Sequence, residues 1–416
     1  MSCLGMVVSD MAVYESMKES GIEWIGKIPA TWKTHTLYQL VTQVKNKNSD
    51  LSEQNLLSLS YGKIKRKDIN SNGGLLPESF NGYNIIEDGN IVLRLTDLQN
   101  DHTSLRVGRV TERGIITSAY TTLRPIIKDS SKYLYYLLHC FDIKKGFYGM
   151  GSGVRQGLNY DEVKELRVIM PSSSTEQSAI AAYLDDQCAK IDTLISEAKA
   201  SIEEYKKWKT SLIFEAVTKG LDPQSNMKPT NDFKIKSIPS EWNLIKFKYL
   251  LSVKSGEMIK AEDIEDSGPF PVYGGGERIG YCSSYNTEEN TILIGRVGAR
   301  CGCITCLSQK SWATDNALIV KCYANYKYLY YLLLAANLND LNVSNAQPLI
   351  TGTKIKNSYT AFTDDPKEQE KIVEYLDSKM IDIDSIIESK NALITDLELY
   401  KKSLIFETVT GKRKVV

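Results

Sequence analysis

Histidine is scarce here: His35, His102 and His139 are dispersed through 416 residues. A histidine-based triad or a histidine-rich metal site has almost nothing to draw on. No H-E-x-x-H helix, G-x-S-x-G elbow or kinase motif set occurs. The Asn/Asp-Pro-Pro-aromatic stretch of enzymes that methylate exocyclic amines is also missing; the Asp-Pro steps, Asp222-Pro223 and Asp365-Pro366, fall in linkers. No run of about 18 apolar residues is present to span a bilayer. The opening "MSCLGMVVSDMAVYESMKES" lacks a basic start, a sustained apolar core and a cleavage site, so the expected location is cytoplasmic. Net charge is zero, which argues against a basic coat over the whole surface but leaves local patches open. Eight cysteines in so long a chain fit reduced thiols better than a disulfide framework. The segment "CGCITC" has one C-x2-C spacing and no second pair, so it reads as small thiols in a strand-rich stretch and no metal is expected.

What is present is repetition. Sliding the chain by 192 positions aligns Thr175–Thr218 with Lys367–Thr410 without a gap, and SLIFE occurs in both copies, at Ser211 and Ser403. Apolar residues recur in steps of three and four: Leu184, Cys188, Ile191, Ile195, Ala198, Ile202, Tyr205 and Leu212, then Leu376, Met380, Ile383, Ile387, Ile394, Leu397 and Leu404. That period predicts two helices of about 44 residues, each about 66 Å long. Ser173 with Glu176 and Asp365 with Glu368 have capping-box spacing, Pro366 suits a first helical position, and Gly220 and Gly411 suit the ends. An antiparallel pair within the chain is the expected way to bury both seams, with packing on the chain's own globular segments or on another chain as alternatives. Tyr183, Ile213, Phe214, Tyr375, Ile405 and Phe406 lie beside the seams, as a wider core face or as the docking surface of a second protein.

A weaker repeat links the long segments. "IPATWKTHTLYQL" at Ile28 resembles "IPSEWNLIKFKYL" at Ile238, and "KYLYYLLH" at Lys132 resembles "KYLYYLLL" at Lys327. The offsets, 210 and 195, differ, so the framework is shared and the material inside it is not. "GNIVLRLTDL", "ITSAYTTLRPI", "NTILIGRVG" and "DNALIVKCY" read as strands and "KYLYYLL" as a short helix. The chain divides into an α+β unit over 1–172, a helix over 173–220, a second α+β unit over 221–364 and a helix with a tail over 365–416. Turn-rich stretches carry Tyr61, Lys63, Lys65, Arg66, Arg94, Arg155, Gln156, Tyr273, Arg278, Arg296, Arg300 and Lys354. Cations on glycine-rich turns suit phosphate and base-edge contacts, although any single exposed cation is more often plain surface. No phosphate-loop spacing accompanies them.

These phrases together resemble the DNA-specificity subunit of type I restriction-modification systems. The likeness runs through "GIEWIGKIPATW", "GSGVRQGLNYDEVKELRVIMPS", "EQSAIAAYLD", "SLIFEAVTKG", "VYGGGERIGY", "ILIGRVGARCG" and "WATDNALIV". One departure is "PLITGTKIKNSYTAFTDDP" where a copy of "GSGVRQGL" would stand, which leaves Lys354 less well matched than Arg155. The resemblance implies two α+β target-recognition domains, each reading half of a split double-stranded DNA site, and two long helices forming an antiparallel coiled coil. It implies that two methyltransferase subunits dock on the helices and that restriction subunits join some complexes. S-adenosylmethionine, ATP and magnesium would then belong to those partners, and this chain would have no catalysis or cofactor of its own. A coiled-coil scaffold without DNA specificity is the competing reading.

Overall fold

The computed structural model describes residues 13–69, 77, 79–101, 103–150, 157–341 and 348–415. It divides into two compact units, one running up to Glu197 and taking in Leu393–Val416, the other spanning Ala198–Ala392. Four helices organise them: α1 (Ser131–Ile143), α2 (Ser174–Lys219, 46 residues), α3 (Tyr326–Ala335) and α4 (Pro366–Val409, 44 residues). Both long helices change unit part-way along their length.

Each unit is built on a four-stranded antiparallel sheet. In the first, the strand order is Val41–Gln43, Thr121–Pro125, Ile91–Leu93, Val107–Arg109. In the second it is Leu251–Ser255, Ala317–Cys322, Ile292–Gly295, Ile304–Cys306. Order and direction are the same, which explains the gapped repeat: β-branched runs set the same ladders, while connections of different length displace the offset. The strand entering each unit pairs antiparallel with the strand leaving it, Lys33–Thr36 with Arg167–Met170 and Asn243–Lys246 with Tyr359–Phe362. That pairing delivers the chain to the start of α2 and of α4.

The helix ends follow the expected signals, with one correction. Ser173 Oγ accepts from the Glu176 N–H at 3.4 Å, Asp365 Oδ1 accepts from the Lys367 N–H at 3.0 Å, and Pro366 opens α4. Gly220 and Gly411 take left-handed φ of +74° and +69° just past the ends, a conformation that penalises any residue with a Cβ. The capping-box glutamates do not turn back onto their own helices. Glu176 Oε1 accepts from the Trp32 indole N–H at 3.0 Å and the Tyr14 hydroxyl at 2.7 Å. Glu368 Oε2 likewise accepts from the Trp242 indole at 2.9 Å and from Thr363 at 2.7 Å. An indole N–H sealed in a core needs an acceptor, and a carboxylate at a helix N-terminus supplies one.

The seams are buried where the periodicity places them. In the first unit Leu184, Cys188 and Ile191 share a core with Leu404, and in the second Leu376, Met380 and Ile383 share a core with α3 and the sheet. Pairing is antiparallel within the second unit: going up α2 from Tyr205 to Lys209, the partners on α4 descend from Lys390 to Asp384. In the first unit Lys401 of α4 donates to Asp192 of α2 at 2.6 Å. Lys209 with Asp384 is the same pair with the helices exchanged, because an offset of 192 converts each residue into its counterpart. No helix among the described residues is long and apolar enough to cross a membrane.

Candidate nucleic-acid interface and docking face

The short helix of each unit is clamped to a long helix by one carboxylate. Asp185 accepts from Tyr136 at 2.7 Å and Lys132 at 2.6 Å; Asp377 accepts from Tyr331 and Lys327, both at 2.6 Å. Burial, and next the bonded carboxylate, push both tyrosine hydroxyls far above the usual phenol range, so they stay donors. These clamps fix each sheet to its helix, and with it the loops at the sheet's edge.

In the first unit, the hairpin of Leu57–Ser60 and Lys63–Arg66 turns through Tyr61 and Gly62, both left-handed, and leaves Tyr61 73% exposed. Lys65 is exposed on the outgoing strand. Lys63 Nζ comes within 3.9 Å of Asp192 on α2. Arg66 grips Glu112 through Nε at 3.0 and 2.8 Å and through Nη2, and Arg94 lies 3.7 Å from Asp101. Those carboxylates neutralise much of what a phosphate would feel. Arg155 and Gln156 lie outside the described residues.

In the second unit, Tyr273 is half-buried against the cluster of Leu293, Leu307 and Ile319, and so serves packing. The Arg278 guanidinium lies over the Tyr281 ring and donates to its hydroxyl at 2.7 Å. Arg300 pairs with Glu277 at 3.2 Å, and Lys354 Nζ donates to the Leu341 carbonyl at 3.1 Å. Lys354 occupies the third position of a short helix, Gly352–Asn357, capped by Thr351. That helix answers the Asn159-capped turn Tyr160–Val163 of the first unit, which makes Glu162, not Arg155, the counterpart of Lys354.

Arg296 belongs to a group that single-residue reading missed. Together with Lys254 and Lys356 it surrounds a concavity of about 250 Å³ edged by the hydroxyls of Ser255, Thr351 and Thr353. Cations and hydroxyls converging on a shallow hollow suit a phosphate.

Of the residues flanking the seams, Ile213 and Ile405 are 5% and 1% exposed and belong to the cores, not to a docking face. Their flank of each long helix meets the unit's own sheet and short helix. Tyr183, Phe214, Tyr375 and Phe406 are half-buried, and the ammonium groups of Lys144 and Lys412 lie over the Phe406 ring at 4.5 and 4.9 Å. Phe214, Leu332, Phe233 and Tyr359 line a groove of about 350 Å³ in the second unit. No cluster of His, Cys, Asp and Glu suited to a metal ion occurs among the described residues; Cys301 is buried and Cys306 exposed.

Residues 239–398 match the family described as the type I restriction modification DNA specificity domain. The chain is 29% identical over 113 residues to the specificity subunit of the type I restriction enzyme EcoprrI from Escherichia coli, covering 26% of this chain and 28% of that one. It is 24% identical over 262 residues to a putative type I specificity subunit of Mycoplasma genitalium, covering 60% and 64%. Against the MjaVIII specificity subunit of Methanocaldococcus jannaschii the identity is 21% over 440 residues, with 94% of each chain covered. The chain thus spans less than two thirds of the first two of these relatives and nearly all of the third. A chain solved in work on complex assembly and conformational transition of the type I R-M system shares the fold, with TM-score 0.68, 12% identity, and 92% of this chain and 98% of that one covered.

Proposed function

We propose that this chain is the DNA-reading subunit of a type I restriction-modification complex in the cytoplasm, with each α+β unit contacting one half of a split site. The paired helices set the unread spacer and dock two adenine-methyltransferase subunits; restriction subunits join where cleavage accompanies modification. Methyl transfer and ATP-driven cleavage belong to those partners. The observation that carries this reading is the doubling of the clamp that fixes a sheet to a long helix: Asp185 with Tyr136 and Lys132, and Asp377 with Tyr331 and Lys327. A duplicated mount for two differing loop sets is what a reader of two different half-words requires.

Single-molecule sequencing of adenine methylation, in cells expressing the chain with its methyltransferase and in cells lacking only this chain, tests the reading. The expected result is a chain-dependent motif of two short specified halves around a fixed gap. Methylation that is independent of the chain would reject it.

Lys254, Arg296 and Lys356 are assigned to phosphate contact. Changing Lys254 and Lys356 to alanine is expected to weaken cognate and random duplexes about equally, and to reduce the slope of log affinity against log salt by about one for each cation removed. Titration of both duplexes at several salt concentrations measures this. An unchanged slope would remove the hollow from the interface.

A further inference from the structure

Arg106 has no exposed surface, a costly place for a charge unless its donors are met. They are met almost wholly by one loop. Nη1 donates to the carbonyls of Arg94 at 3.2 Å and Thr96 at 2.7 Å, and Nη2 to those of Asp97 at 3.2 Å and Asp101. Nε donates to the Tyr148 hydroxyl at 3.0 Å, and that hydroxyl donates to the Asp101 carbonyl at 3.0 Å. The Leu158 N–H adds a bond to the Leu95 carbonyl at 2.8 Å. The stretch from Arg94 to Asp101, which leaves the strand Ile91–Leu93 on its way to Val107–Arg109, is thus pinned from inside by one guanidinium.

The second unit supplies an internal comparison. Its hairpin of Ile292–Gly295 and Ile304–Cys306 carries the bond from Gly295 N–H to the Cys303 carbonyl at 2.9 Å, where the first unit has Arg94 N–H to the Arg106 carbonyl, also at 2.9 Å. Ile350 N–H to the Arg296 carbonyl at 3.0 Å answers Leu158 to Leu95. Cys303 therefore stands where Arg106 stands. The second loop is shorter and turns on its own backbone, through Gly298 and Gly302 at φ of +71° and +82°. Residues 95–105 contain no glycine. There the buried arginine does what glycine turns do in the other unit.

The pinned loop turns Thr96, Asp97, Gln99 and Asn100 outward, all exposed, and three of them line a concavity of about 570 Å³ with Gly157. None of the four is a cation, and Asp97 would repel a phosphate. Side-chain amides instead offer the donor and acceptor pair that matches an adenine edge. Asn100 Nδ2 donates to Asp97 Oδ1 at 2.8 Å, which fixes the orientation of that amide.

We propose that this loop reads base edges in one half of the DNA site through Gln99 and Asn100, and that Arg106 is the positioning residue that holds it in shape. The proposal rests on the DNA-reading function above and names residues that counting cations passes over.

The test uses the full chain with its methyltransferase and reads the methylated word. Gln99→Ala and Asn100→Ala, both surface changes, are each expected to relax one specified base in one half by about tenfold or more, the worth of a bidentate contact. The other half and the gap should remain. Arg106→Lys keeps the charge and loses the fork, and is expected to blur the same half only. An unchanged word in both surface variants overturns the proposal, even if Arg106→Lys fails to fold. So does equal weakening on all sequences, the signature of a phosphate contact. Failure of the underlying function appears differently, as the absence of any chain-dependent word from the wild type.

Discussion

A Trp32→Ala chain is expected to lose about 3–5 kcal/mol of stability in its first unit. The indole is 0% exposed, meets Tyr14 and Tyr133 edge-on at 5.9 and 6.1 Å, and donates to Glu176 at the start of α2. Removing it opens a cavity and takes one of two donors from a carboxylate that the Tyr14 hydroxyl then holds alone. Trp32→Phe separates these effects: most of the ring volume stays while the N–H goes, for an expected cost of about 1–3 kcal/mol. Trp242→Ala should do the same to the second unit, where Glu368 keeps Thr363 as its remaining donor. Amide hydrogen exchange followed unit by unit measures both. Protection should fall in the unit that carries the substitution, and an equal fall in both units, or none, would contradict this account. The functional corollary is specific, because the Trp–Glu bond lies where each unit hands over to its long helix. If the chain reads a split site as proposed, a loosened mount should broaden the gap between half-words before it degrades the words.

The long helices were legible because a 3.5-residue period and an ungapped offset of 192 are one-dimensional signals, and burial of Leu184, Ile191, Leu376 and Ile383 follows from them. Sheet order was not legible, since short strands of similar composition carry no address; the common order of the two units emerges only in three dimensions. Side chains one step off the seam were ambiguous for a physical reason. Whether Ile405 meets solvent or core depends on a short helix more than 260 positions earlier in the chain. Among the candidate contacts, Tyr61 and Lys65 stand exposed on the turn-rich stretch that marked them. Arg66 and Arg300 are exposed as well, but Glu112 and Glu277, carboxylates that only folding brings up, pair with them. Lys254, Arg296 and Lys356 were hard to group, since each comes from a different stretch and only the fold makes them neighbours. Arg106 gave no signal of burial at all: an arginine beside a strand is ordinarily surface.

His139 is expected to make the first unit acid-sensitive, and His139→Leu to remove that sensitivity. The imidazole is 8% exposed, stacks on Tyr135 with centroids 5.5 Å apart, and its Nδ1 has no hydrogen-bond partner among the described residues. It borders a cavity that also receives Lys63, Arg109, Lys132 and Lys401, with Asp185 and Asp192 as the facing carboxylates. Burial, and then the charge of Lys401, pull its pKa down to about 4 from the usual 6.5. In the folded chain the ring therefore stays neutral where the unfolded chain already binds a proton. The stability held above pH 6.5 is lost as pH falls through the folded pKa near 4, by about 3 kcal/mol in full. At the matching position of the second unit, 195 residues on, stands Leu334, so the framework accepts an aliphatic side chain there. His139→Leu should be at least as stable at pH 7, where it removes an unsatisfied buried nitrogen, and its advantage should grow by about 3 kcal/mol by pH 4. Urea unfolding of both chains from pH 7 down to pH 4, monitored through the first unit, measures the difference. Curves that stay parallel over that range would mean that the imidazole finds a proton or a partner inside the fold, and the acid sensitivity would then belong to the surrounding carboxylates.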